Sequence, residues 1–198
     1  MSMPQININK IKDEVTSINK RNSAYKFGHS FETNINFFEK ANHEVLDNGD
    51  RVYRLKIHSY SAYSINLIFN EFNIPKGSKL FIYNNDASHQ IGAFTHLNNK
   101  DHGRFSTAPV MGETIIIEYL HPFGLIEEPL INIEKIIHGY ENIFFNDRGY
   151  NDSQECHTNV NCAEAQAWSD EKKSVVMTLT DGGTRLCSGA MVNNTNED

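Results

Sequence analysis

From residue 51 onward the chain alternates apolar and polar positions with a period of two, the spacing at which successive side chains leave opposite faces of a strand. In RVYRLKIH (51–58) Tyr53, Leu55 and Ile57 share a face with Arg51, while Val52, Arg54, Lys56 and His58 share the other. SINLIF (64–69) puts Ile65, Leu67 and Phe69 together, KLFIYN (79–84) is a continuous apolar run, and TIIIEYL (114–120) is β-branched through its centre. LINIEKIIH (130–138) aligns Ile131, Ile133 and Ile137, with Lys135 interrupting them. Each reads as a strand.

The residues between these runs are turn formers. Asn48-Gly49 in DNGD (47–50) suits a tight hairpin, and Pro75 with Gly77 in IPKGSK suits a type II turn. NKDHG (99–103) and VMGE (110–113) mark two more turns. Short strands at this spacing, with no helical stretch among them, predict an all-β antiparallel β-sandwich or jelly-roll domain over residues 21–145. Ahead of it, in residues 1–20, Ile8, Ile11, Val15 and Ile18 recur at three and four, which fits a short amphipathic helix or a disordered polar lead. NDRGYNDSQE (146–155) reads as a linker. Residues 156–198 differ in texture: the sole Trp168, then SVVMTLT (174–180) and RLCSGAMV (185–192) as two strands joined at DGG.

With 198 residues, 39% of them hydrophobic, the chain can bury a core, and no run approaches the ~18 apolar residues of a membrane helix. A net charge of -7 without a dense Lys/Arg cluster argues against nucleic acid as a partner. The first residues hold no basic segment followed by an apolar one, so no signal peptide is read in this chain. The cysteines point the other way. Cys156, Cys162 and Cys187 are all in the tail, among Gly and Asn turns, as in disulfide-bearing proteins made outside a reducing cytosol. An odd count and no export signal together predict that sequence is missing at one or both ends.

Few side chains converge by spacing. The nine histidines include no pair at one-turn or alternating-strand spacing among His58, His89, His96, His102 and His121. A zinc set of Cys156, His157, Cys162 and Cys187 is disfavoured, because adjacent Cys156 and His157 point apart in extended chain and the cysteines lack tight pairing. No metal and no cofactor are expected. Asp47, Asp50, Glu127 and Glu128 read as solvated loop charges. No serine sits in a G-x-S-x-G elbow, and Ser188 follows a cysteine in what reads as a buried strand, so no catalytic residue is assigned. A non-catalytic module would instead present Tyr60, Tyr63, Tyr83 and His121 to a glycan or cell-surface protein.

The tail is more specific. CHTNVNC (156–162), AEAQAWSDEKKSVVMTL (163–179) and GGTRLCSGAMVNNT (182–195) together resemble the opening of the mature domain of bacterial lysyl-endopeptidase-like enzymes, which are secreted trypsin-fold serine peptidases. Cys187 to Thr195 match that family's C-[ST]-G-[SA]-hydrophobic-[VI]-N-N-T pattern. SYSAYSINLIF (59–69) and IPKGSKLFIY (74–83) are similar to the region ahead of such peptidases, with Tyr53 where a tryptophan is frequent.

The resemblance implies the N-terminal part of a secreted, Lys/Arg-directed serine endopeptidase precursor. The sandwich would be a pro-region or accessory domain, and 156–198 an incomplete trypsin-like β-barrel fragment. It also implies that the catalytic His, Asp and Ser lie beyond Asp198, so that this chain is inactive and protein or peptide substrates belong to the full-length enzyme. Cys156, Cys162 and Cys187 would pair with partners further along, Arg148 would mark the processing site, and the tail would lie on the sandwich, stay disordered or self-associate.

Overall fold

The computed structural model describes residues 1–18, 26–144, 163–180 and 182–192. Two antiparallel sheets form its body. The first contains β1 (Gly28–Asn36), β10 (Leu130–Gly139), β4 (Ser64–Asn73) and β7 (Phe105–Ser106) in that order, with β8 (Val110–Met111) also on β4. The second runs β2 (Asn42–Val45), β3 (Arg51–His58), β9 (Thr114–His121), β5 (Lys79–Asn84) and β6 (Gln90–Phe94). The pairing is nested: β1 with β10, β3 with β9, β4 with β7 and β8, β5 with β6. A chain folded back on itself in this way and rolled into two layers is a jelly roll.

The period-two pattern explains the layers. Leu55, Ile117 and Ile82 form one rung of the second sheet, and Phe31, Ile136 and Leu67 form one of the first. Leu67, Phe69, Ile82, Ile115, Ile117 and Ile136 have no exposed surface, and they belong to one core shared by both sheets. Burying each such side chain contributes about 1.5–3 kcal/mol, which is why the two faces stay together. The 47–50 and 75–78 turns form where expected, whereas Val110 and Met111 of the predicted 110–113 turn form β8. Leu46 and Asp50 close the 47–50 turn, Ser78 N–H donates to Pro75 O at 3.2 Å, and Gly49 and Gly77 take φ of +87° and +99°.

Three features depart from the sequence reading. A four-residue helix, α2 (Phe37–Lys40), interrupts the strands where no helical stretch was expected. Asn36 caps it, its side chain accepting from Phe38 N–H at 3.0 Å and Glu39 N–H at 3.4 Å, and one turn is too short for a helical period to register. This helix drops Phe37 into the core and stands Phe38 edge-on to Tyr53 and Tyr119 at 5.1 and 5.4 Å. Strands β1 and β2 were not anticipated, because β2 is wholly exposed and β1 carries mixed residues at a sheet edge. Asp50, expected to be merely solvated, stitches two loops: its carboxylate accepts from Phe123 N–H at 2.7 Å and from Asn48 Nδ2 at 2.8 Å.

The polar lead holds a helix, α1 (Ile8–Ile18), tied to the body by Lys12 Nζ on Glu141 Oε1 at 2.6 Å. Residues 1–3 run beside His58, continuing the cover that β2 provides over residues 51–54 of β3. The edge of that strand is thereby shielded from pairing with other chains.

Candidate functional site

In the tail, a 3₁₀ turn (Ala163–Trp168) and a short helix, α3 (Glu171–Ser174), lead into a hairpin of β11 (Val175–Leu179) and β12 (Arg185–Ala190). Thr180 N–H donates to Thr184 O at 2.8 Å and closes the Gly-rich turn read from DGG. The motif CSGA therefore lies in β12, with Cys187 opposite Thr178, Ser188 opposite Met177, Gly189 opposite Val176 and Ala190 opposite Val175. Ser188 is exposed, which corrects the expectation of a buried strand. The reason is architectural: among the described residues β11 and β12 pair with each other alone, and no second layer covers them. Val175, Met177, Met191 and Val192 are exposed in consequence.

The remaining tail candidates, Cys156, His157, Cys162 and the processing residue Arg148, lie outside the described residues. The candidate zinc set and the disulfide partners are therefore represented by Cys187 alone, and only through its place in the ladder.

On the jelly roll, the residues proposed for a glycan surface do not come together. Tyr60 and Tyr63 are exposed in the β3–β4 loop, Tyr83 is half-buried on the outer face of the second sheet, and His121 is buried beside Tyr119 OH (3.3 Å) and Leu125 O (3.0 Å). Tyr83 OH donates to Glu118 Oε2 at 3.0 Å, and burial first, then that contact, raises its pKa. Glu44 holds Arg54 Nη1 and Glu118 holds Arg54 Nε at 2.6 Å, and these two contacts, Glu44 first, raise the guanidinium above its ordinary range. Tyr119, fully buried, is pushed up to about 12 by loss of water.

The histidines serve the loops and ladders. His58 Nδ1 meets Thr114 Oγ1 at 2.9 Å, His89 Nδ1 accepts from Met111 N–H at 3.0 Å, and His102 Nδ1 accepts from Arg104 N–H at 3.1 Å. Sequence spacing missed one pair. His29 and His138 are cross-strand neighbours on β1 and β10, and His138 Nδ1 lies 2.7 Å from Ser59 Oγ. A serine beside an imidazole has the ingredients of a nucleophile and base, but both are 1% exposed, so no substrate reaches them. Burial, then the charge of His29, lowers His138 to about 4, and its Nε2 finds no partner among the described residues. His29 is lowered too, by burial and by Lys26. The available signal was His138 closing an otherwise isoleucine-rich strand, but its partners on β1 and after β3 are distant in sequence.

The sequence model of the family described as lysyl endopeptidase, C-terminal domain, matches residues 150–198. No solved structure matches the chain. The match takes in the whole hairpin and leaves the jelly roll outside it, so the similarity to lysyl endopeptidases rests on this segment.

Proposed function

We propose that this chain is the N-terminal part of a secreted serine endopeptidase precursor, in which the jelly roll is a pro-region or accessory domain and the segment from about Cys156 onward begins a trypsin-like barrel. The observation that supports this most is the coincidence of the 150–198 family match with the hairpin and its CSGAMVNNT motif. Peptide bonds after Lys or Arg would be the substrate of the whole protein. The nucleophile, base and orienting acid would come from sequence C-terminal to Asp198, and the three cysteines would form disulfides with that sequence.

Reading the parental frame beyond codon 198 tests this directly. A histidine followed by cysteine soon after the N-N-T segment and a later G-D-S-G support it, and an early stop without either refutes it. The chain as it stands should not turn over fluorogenic lysyl or arginyl peptides, and serine-reagent-sensitive hydrolysis would contradict that. Alkylation without reductant should label all three thiols. Processing near Arg148 predicts a mature N-terminus close to Gly149, and a mature product that still contains β9 would exclude it.

A further inference from the structure

The tail touches the jelly roll at one distinctive point. Gly183, in the turn between β11 and β12, is buried, unlike Val175 and Met177 of β11 and Ser188 of β12. Its carbonyl accepts from two successive amides, Phe27 N–H at 2.8 Å and Gly28 N–H at 2.9 Å, and Thr184 forms an antiparallel bridge with Lys26.

The surface it meets is bare backbone. Gly28 is paired with Gly139 in the β1–β10 ladder, and neither has room for a side chain. A Cβ on Gly28 would stand 2.9 Å from Ile137 Cγ2, and one on Gly139 would stand 2.2 Å from Ser64 Oγ. Into this notch comes a third glycine. A Cβ on Gly183 would lie 2.6 Å from Gly28 O, and its φ of +75° is one that other residues rarely adopt.

We infer that Lys26–Gly28 is a docking surface for the peptidase-like segment, and that its ligand is a glycine presented in a left-handed turn. Recognition is through main-chain hydrogen bonds, so it selects backbone shape and not side-chain chemistry. The physical need is clear: a two-stranded hairpin is marginal in water, and this one exposes Val175, Met177, Met191 and Val192. Two amides and a bridge from a rigid body restrict its motion without burying those strands, which leaves them open to later partners. The dock stands on this geometry whether or not the segment belongs to a peptidase.

Residue-resolved hydrogen exchange on the full chain tests it. The Phe27 and Gly28 amides, though part of the jelly roll's edge, should exchange together with the hairpin amide of Thr180 and not with Leu67 or Ile136. Gly183→Ala should accelerate both by at least about tenfold, the loss of hydrogen bonds of ordinary strength, while Leu67 and Ile136 stay unchanged. Gly182→Ala is the control, because a Cβ there meets nothing within 4 Å, and it should leave all rates as they were. Unprotected Phe27 and Gly28 amides in the wild-type chain, or equal protection in Gly183→Ala, would overturn the dock.

Discussion

In the jelly roll, Leu67, Phe69, Ile82 and Ile117 keep none of their surface in water, whereas in the hairpin Val175 and Met177 keep 63% and 41% of theirs. Both regions are antiparallel ladders with the same kind of backbone hydrogen bonds. What separates them is the second layer. Ladder bonds exchange water for protein partners at small net gain, so a sheet without a covering face gains little stability, while one packed on another gains a core. The chain thus joins a region that completes itself to one that depends on its surroundings.

The largest expected effect probes that asymmetry. Phe69→Ala should destabilise the jelly roll by about 3–5 kcal/mol in equilibrium denaturation, while Met177→Ala should change it by no more than about 0.5 kcal/mol. Equal costs would erase the distinction.

Acid should likewise act on one region. His138 has a folded pKa of about 4 against 6.5 when unfolded, so between those values the unfolded chain binds more protons. Its contribution is fully present above pH 6.5 and is lost as pH falls toward 4, by up to about 3 kcal/mol, and lowered His29 acts in the same direction. Denaturation profiles from pH 7 to 4 should flatten in His138→Gln, and an unchanged slope would show that the buried imidazole is not responsible.

Smaller effects sharpen the contrast at the surface. Asp50→Ala removes the solvent-exposed hydrogen bonds to Phe123 N–H and Asn48 Nδ2 and should lower the unfolding free energy by about 0.5–1.5 kcal/mol. Arg54→Ala removes contacts to Glu44 and Glu118 that are open to solvent, and a double-mutant cycle with Glu118→Ala should read no more than about 1 kcal/mol.

The sequence reading recovered what a period of two can encode. β3, β4 and β10 were legible mostly through alternation of apolar and polar residues, β5 and β9 as short apolar or β-branched runs bounded by turn formers, and the Asn48-Gly49 and Gly77 turns because few residues take positive φ. It lost β2, whose four residues are all exposed and so carry no pattern, and α2, which is shorter than the period that reveals helices. The nesting that makes a jelly roll, the His29–His138 pairing and the Gly28–Gly139–Gly183 notch all join residues far apart along the chain. No local pattern records such meetings. The tail motif was legible for a different reason, since it is a string of contiguous residues, and the family match falls on the same stretch.

The contrast between a jelly roll with its own core and a hairpin without one is tested most directly by native-state hydrogen exchange across increasing denaturant. The amides of β4 and β10 should exchange only through global unfolding, with a steep dependence and an opening free energy in the range of about 5–15 kcal/mol, whereas those of β11 and β12 should open locally, at far lower cost and with little dependence on denaturant. Hairpin amides that share the opening free energy and slope of β4 would contradict the account.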